Sequence, residues 1–193
     1  MGAVRARRDR RSEPDESAER IGLIAVIENV VLIDEADAAL GEGEKLAVHR
    51  QGALHRAFSV FAFNAAGELL LQRRAPAKYH SGGLWTNTCC GHPRPGETIE
   101  DAARRRLFEE LGLSCGDLES AGVYRYRAEI KDLVENELDH LLTTTVSGVP
   151  DPDPDEVVEW RFIGLDELSA WLEDEPGAFT AWFPPAWRIV NDR

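Results

Sequence analysis

The sequence is poor in cysteine: only three occur in 193 residues, and two of them, Cys89 and Cys90, are neighbours. An odd number with this spacing does not suit a disulfide framework, so we expect free thiols in a reducing cytoplasm. Also missing are an apolar run long enough to span a bilayer and the apolar centre of a signal peptide. These absences predict a cytoplasmic protein with no membrane partner.

Positive charge is scarce as well, with 22 Lys and Arg residues against 35 Asp and Glu and a formal net charge of −13. This charge argues against a nucleic-acid partner and against a nucleic-acid arm in the basic start of residues 1–20. We predict instead that residues 1–20 form a disordered tail and residues 21–193 one domain. An acidic domain that binds an anionic substrate needs a local basic pocket or a metal ion.

Strand and helix patterns alternate along the predicted domain. Runs of β-branched, aromatic and leucine residues predict strands within residues 21–40, 58–74, 120–130, 135–147 and 157–165. The second of these segments predicts a hairpin that turns at residues 64–67. Residues 41–57 are expected to be a polar connection and residues 75–85 a loop, while residues 166–176 and 180–192 are expected to be helical. The order indicates a mixed α/β or α+β fold, and no dinucleotide-binding glycine pattern or internal repeat is visible.

The clearest helix lies within residues 97–113. Thr98 is a suitable N-terminal cap, acidic residues follow in the first turn, and Gly112 is a suitable stop. Leu107 and Leu111, one turn apart, predict an apolar face that packs on the core.

Two carboxylates suggest a metal site. Glu135 and Glu137 are two residues apart in a predicted strand, so both side chains point to one face. Carboxylates so close repel each other unless a cation lies between them. Histidine with carboxylate suits Mn, Fe or Zn and, with more oxygen donors, Mg.

The segment from Gly91 to Leu113 resembles the Nudix box, Gly-x5-Glu-x7-Arg-Glu-U-x-Glu-Glu-x-Gly-U, where U is aliphatic. Glu97 and Arg105 stand at the matching positions. The match departs at Arg106, where the box has a glutamate that helps to hold divalent metal. This substitution argues against pyrophosphohydrolase chemistry.

Five other segments, WTNTCCGHP, LHRAF, RRAPAK, YRYRAE and VENELDH, occur here in the order found in type 1 isopentenyl-diphosphate isomerases. The chain resembles that family from about Ile21 to Ile189, although His49 and His55 are one residue closer than in the family's better-known form. The resemblance implies an α/β (α+β) fold: a Nudix-like mixed β-sheet sandwich flanked by helices, with an extra N-terminal strand region and a C-terminal helical cap. It also implies the interconversion of isopentenyl and dimethylallyl diphosphate through a carbocation-like intermediate, in isoprenoid biosynthesis.

The resemblance further implies the roles of individual residues. Cys90 and Glu137 are the expected proton-transfer groups, with the acid and the base left open, and Tyr126 is expected to hydrogen-bond Glu137 and relay a proton. Cys89 and Cys115 are expected to have no part in turnover. The expected ligands of Mn²⁺, Mg²⁺ or Zn²⁺ are His49, His55, His92, Glu135 and Glu137.

A further group of residues is expected to bind the diphosphate end of the substrate. Glu110 is expected to hold a Mg²⁺ that bridges to the diphosphate, and the substrate is expected to contact Lys45, Arg74, Lys78 and Trp182. His80 and His140 do not align with ligand positions and are expected to be loop or strand-edge residues. A monomer or weak dimer is expected.

The sequence leaves two other functions open. A Nudix-type diphosphate hydrolase would have a glutamate at Arg106 and no need of Cys90. A non-catalytic metal- or nucleotide-binding module would be free to lose Cys90, the histidines and Glu137, all of which are present.

Overall fold

A computed structural model describes residues 28–78 and 80–193, and the tail predicted at residues 1–20 lies outside them. Its strands are β1 (Asn29–Ile33), β2 (Ala39–Glu44), β3 (His55–Phe63), β4 (Leu69–Arg74), β5 (Trp85–Thr86), β6 (Cys89–Gly91), β7 (Glu119–Ile130), β8 (Leu133–Thr145) and β9 (Val157–Ile163). Its α-helices are α1 (Lys45–Gln51), α2 (Ile99–Leu111), α3 (Leu165–Asp174) and α4 (Phe183–Asn191).

Strand β3 is the centre of the sheet. It pairs in parallel with β8 and in antiparallel with β6, and β7 adds to the far side of β8. Residues 64–67 form the predicted hairpin turn, since Asn64 Oδ1 accepts from the amides of Ala66 and Glu68 at 2.9 and 3.0 Å. Beyond Phe63 and Leu69 the two hairpin strands separate, and β4 pairs instead with β5 and β9.

The sheet is covered on both sides, as the predicted sandwich requires. On one side Leu107 and Leu111 of α2 join a buried cluster with Phe58. On the other side Phe183 of α4 stacks on Phe61, with ring centroids 6.2 Å apart. Each fully buried side chain of this size contributes about 1.5–3 kcal/mol to folding, so the two helices are fixed against the sheet.

The prediction for α2 is confirmed in detail. Thr98 Oγ1 accepts from the amide of Asp101 at 3.1 Å, and Gly112 ends the helix with a left-handed φ of 65°. Arg105 forms two hydrogen bonds to Glu97, at 2.7 and 2.8 Å, which attach the loop before the helix to its second turn.

Residues 41–57 are not the polar connection that was expected. They complete β2, form α1 and begin β3. Helix α1 exists because the Glu44 carboxylate accepts from the amides of Leu46 and Ala47 at 2.9 and 2.8 Å, and because Gly52 ends it with a φ of 64°. Seven residues are too few to show helical periodicity, so tertiary packing decides the structure here.

The mixed sheet with flanking helices confirms the predicted fold class. Among residues 28–78 and 80–193, no helix has the length and apolar character needed to cross a membrane.

Candidate active site

The floor of the site is one face of β6, β3 and β8. Cys90 lies opposite Ser59, and Glu137 lies opposite His55. Side chains alternate along a strand. The Cys90 side chain therefore lies on this face of the sheet, while that of Cys89 points from the opposite face into the core beside α2. Strand geometry thus places the two neighbouring thiols on opposite faces of the sheet.

Three histidines converge at one end of the floor. His49 donates from Nδ1 to the Lys45 carbonyl at 2.6 Å, and His55 donates from Nδ1 to the Ala53 carbonyl at 2.9 Å. A carbonyl only accepts, so each bond places a proton on Nδ1, and Nε2 is the ring nitrogen that is directed toward the cluster. Nε2 of His55 lies 3.2 Å from Nε2 of His92.

Glu137 completes this cluster. Its Oε1 lies 2.9 Å from Nε2 of His92 and 3.5 Å from Nε2 of His55. One ligand atom from each of four residues lies within 4.8 Å of the others; the four are His49, His55, His92 and Glu137. The fifth predicted ligand, Glu135, borders the group, with Oε2 3.4 Å from Nε2 of His49.

The electrostatics of the cluster suit a divalent cation. Burial, reinforced by Lys45, lowers the pKa of His92 well below its usual range, so this ring is neutral. Burial would raise the pKa of Glu137, but its hydrogen bond and charge interaction with His55 lower it overall. Imidazole nitrogens around a carboxylate are the donors that Mn²⁺ and Zn²⁺ accept, so the residues fit a divalent metal.

Cys90 stands further along the floor, in the same cleft as Glu137. Burial raises the pKa of the Cys90 thiol to about 12, although Arg74 opposes the shift. Cys90 therefore carries its proton at neutral pH. Asp139 lies on the same face as Glu137 and accepts from Ser59 at 2.9 Å, and burial raises its pKa well above the usual range.

The cleft encloses about 630 Å³ when the space at its open mouth is counted. The four predicted substrate contacts all line it: Lys45, Arg74, Lys78 and Trp182. The Arg74 guanidinium lies 5.4 Å from the Trp182 ring centroid. Lys45 pairs with Glu28 at 2.8 Å, and Lys78 pairs with Glu156.

The altered box position borders the cleft. Arg106 contacts Glu110 at 2.6 Å, Glu109 at 2.8 Å and Glu156 at 3.2 Å. Glu110 is buried, and its other oxygen accepts from Gln72 at 2.8 Å. Each carboxylate oxygen keeps a second lone pair, so a Mg²⁺ on Glu110 would share that group with Arg106 and Gln72.

The expected hydrogen bond between Tyr126 and Glu137 is not formed. The two residues are opposite each other in β7 and β8, as the prediction required. Yet the buried Tyr126 hydroxyl has no hydrogen-bond partner within residues 28–78 and 80–193, and its ring lies 6.4 Å from that of Trp182. Cross-strand register brings the backbones together, but it does not direct the end of a long side chain.

His80 is a site residue that the sequence did not reveal. It lies in the loop after β4, as predicted, but it is buried, lines the cleft, and places Nε2 3.1 Å from Oε1 of Glu135. Burial lowers the pKa of His80 to about 4. Its position two residues after Lys78 was the only available signal. His140, in β8, is half-buried beside Asp37, away from the cluster.

Comparison with known proteins gives a consistent result. The model of the NUDIX domain family matches residues 53–183. The chain is 51% identical over 157 residues to an isopentenyl-diphosphate Delta-isomerase of Burkholderia multivorans, covering 81% of this chain and 89% of that one. It is also 51% identical over 155 residues to the protein of the same name in Streptomyces griseus, covering 79% and 78%.

Solved structures agree with the fold. DR0079 from Deinococcus radiodurans superposes with a TM-score of 0.66 at 18% identity, over 85% of this chain and 98% of that one. A MutT NUDIX hydrolase from Burkholderia pseudomallei gives a TM-score of 0.58 at 21% identity, over 71% and 98%. At these identities the likeness concerns the fold alone.

Proposed function

The chain belongs to the isopentenyl-diphosphate Delta-isomerase family of Nudix-domain proteins, and we propose that Cys90 and Glu137 carry out its two proton transfers. The protein interconverts isopentenyl diphosphate and dimethylallyl diphosphate in isoprenoid biosynthesis. One observation supports the assignment of residues above the others: Cys90 and Glu137 line one buried cleft beside three clustered histidines.

The reaction explains why the cleft must exclude water. An unactivated alkene is a very weak base, so a well-placed acid must protonate the terminal carbon while a base removes a proton from C2. The intermediate is a tertiary carbocation or close to one, and water would capture it. An acid and a base on two sides of a flat five-carbon unit meet both demands.

Cys90 and Glu137 can exchange these roles between the forward and reverse directions. The Cys90 thiol holds its proton at neutral pH because burial raises its pKa to about 12. Glu137 is ionised, since its pKa is lowered by His55. Tyr126 would relay a proton once its hydroxyl turns toward the carboxylate that it faces across the strands.

The cluster His49, His55, His92, Glu135 and Glu137 would hold Mn²⁺, Mg²⁺ or Zn²⁺. When bound, such a cation would hold the Glu137 charge in place and tune its acidity. Glu110 would hold a second ion, Mg²⁺, whose hard oxygen preference suits a bridge to diphosphate.

The substrate's two ends would meet different walls. Lys45, Arg74 and Lys78 would bind the diphosphate, with Arg74 offering paired N–H groups and the lysines movable charges. Trp182 would face the cationic carbon, where a desolvated ring contributes about 2 kcal/mol. We also propose that the enzyme works in the cytoplasm as a monomer or weak dimer, without nucleic-acid or membrane partners.

Hydrolysis is the less favoured reaction. Arg106 occupies the place of a box glutamate and forms ion pairs with Glu109 and Glu110, so the acidic cluster that would bind hydrolytic metals is weakened. A non-catalytic module would not need a proton-bearing thiol in the cleft.

The test is deuterium exchange from D₂O into isopentenyl diphosphate, with Cys90→Ala and Cys89→Ala compared. We expect exchange to disappear in Cys90→Ala and to survive in Cys89→Ala, because only Cys90 faces the cleft. Exchange that survives the loss of Cys90 would overturn the assignment, and release of phosphate or pyrophosphate by the unmodified protein would support the hydrolase instead.

A further inference from the structure

His80 belongs to a loop rather than to the sheet that carries the metal cluster. The loop follows β4, which ends at Arg74, and it also carries Lys78. His80 nevertheless reaches the cleft: it is 8% exposed, and Nε2 lies 3.1 Å from Oε1 of Glu135.

Glu135 is held between two imidazoles. Its Oε2 lies 3.4 Å from Nε2 of His49, on the cluster side, while Oε1 faces His80. Oε1 accepts no aligned hydrogen bond from the part of the chain that the structure describes, so its contact with His80 is electrostatic. Because Oε1 faces His80, the other oxygen of the Glu135 carboxylate is directed toward the cluster.

His80 makes a second contact that fixes its own ring. It packs edge-on against Trp182, with ring centroids 5.7 Å apart, and Trp182 in turn lies under the Arg74 guanidinium. Trp182 is also fixed from behind, since its Nε1 donates to Asn87 at 3.3 Å. The imidazole is therefore placed by packing, which is what a residue needs if it is to orient another side chain.

We propose that His80 is a positioning residue that fixes the Glu135 carboxylate for the His/Glu metal centre and couples this centre to the diphosphate-binding loop. The inference rests on the proposed metal site and goes beyond it, because His80 lies outside the group of converging ligands. Partners that orient metal-binding side chains typically change metal affinity 10–100-fold when they are removed.

The experiment compares Co²⁺ binding to the full chain and to His80→Phe, His80→Leu and His80→Gln. Co²⁺ is chosen because its visible absorption reports on a nitrogen-containing site and is weak for an all-oxygen Mg²⁺ site. The Phe variant keeps a ring against Trp182 but removes the polar atom, and the Gln variant restores a polar group near the position of Nε2.

We expect His80→Phe and His80→Leu to bind Co²⁺ roughly 10–100-fold more weakly with a changed visible spectrum, and His80→Gln to recover most of the affinity. The melting temperature of each metal-free variant identifies any that is misfolded, and Phe and Leu serve as alternatives if one of them is. His140→Phe, at a histidine beside Asp37 rather than Glu135, is the matched control and should bind as the unmodified protein does.

Unchanged affinity and spectrum in a folded Phe or Leu variant would overturn the proposal, as would a Gln variant no better than either. Failure of the unmodified protein to bind Co²⁺ would instead show that the metal site itself is wrongly assigned.

Discussion

His55 and Glu137 are directly opposite each other in the parallel pair β3–β8, so an imidazole and a carboxylate rise side by side from the central strands. They are 82 positions apart in sequence, and sheet register alone brings them together. A slip of β8 by one residue against β3 would turn the Glu137 side chain to the opposite face of the sheet. The register of the central strands therefore sets the position of two of the clustered residues, His55 and Glu137.

Loss of metal is the first prediction. Chelation, or His92→Ala, is expected to reduce kcat/KM more than about 100-fold, because losing a direct ligand costs more than the 10–100-fold typical of an outer partner. Isomerisation assays after dialysis against a chelator, with Mn²⁺, Mg²⁺ or Zn²⁺ added back, measure the effect. His140→Ala is the control, and full activity in the chelated protein would contradict the prediction.

The second prediction separates two adjacent arginines. Arg74 is buried in the cleft, whereas the Arg73 side chain is 45% exposed and pairs with Glu159 at 3.3 Å. A hydrogen bond to a charged group contributes about 1.5–3 kcal/mol, so Arg74→Ala is expected to lower kcat/KM roughly 10–150-fold. Steady-state kinetics should show little change in Arg73→Ala; equal losses in the two variants would refute the assignment.

The third prediction concerns the position at which the box departs from its pattern. Arg106→Glu would place a fourth carboxylate among Glu109, Glu110 and Glu156, and breaking a largely buried ion-pair network costs about 3 kcal/mol. Urea denaturation should show this loss of unfolding free energy. Arg104→Glu, on the same helix but hydrogen-bonded only to exposed groups around Cys115 and Gly116, should lose much less. Equal stability of the two variants would contradict the prediction.

The fourth prediction is a pH dependence of stability. The hydrogen bonds from Arg105 lower the pKa of Glu97 below its usual 4.5. A carboxyl whose pKa is lower in the folded state stabilises the protein above its unfolded pKa, and that stabilisation is lost as the pH falls through the folded pKa.

Glu97→Gln should therefore reduce the unfolding free energy by about 1 kcal/mol at pH 7. The difference from the unmodified protein should shrink as the pH falls below 4.5. Urea denaturation at several pH values measures it, with Glu100→Gln, in the first turn of α2, as control. A difference that grows on acidification would be inconsistent with the ion pair.

Much of the fold follows from local sequence. Thr98 and Gly112 mark both ends of α2, and the turn at residues 64–67 marks the hairpin, because capping and turn chemistry act within a few residues. Helix α1 could not be predicted from local sequence, because seven residues are too few to show helical periodicity and Glu44 is an unusual N-terminal cap.

The candidate site, like the fold, could be predicted from the sequence only in part. Glu135 and Glu137 were placed on one face by strand alternation, and family motifs located Cys90 and the three clustered histidines. His80 escaped prediction because a loop residue gains its contact with Glu135 only through tertiary packing. The direction of the Tyr126 hydroxyl could not be predicted for a related reason: strand register does not set side-chain torsions.

Lys45 and Lys78 each hold a carboxylate, Glu28 and Glu156, at the rim of the cleft. An arriving diphosphate would thus exchange one anion for another rather than meet a bare positive surface. Both long side chains are already held in ion pairs, so much of the rotational entropy that such residues lose on binding is lost during folding. The two glutamates would hold the two ammonium groups in place until the diphosphate of the substrate binds.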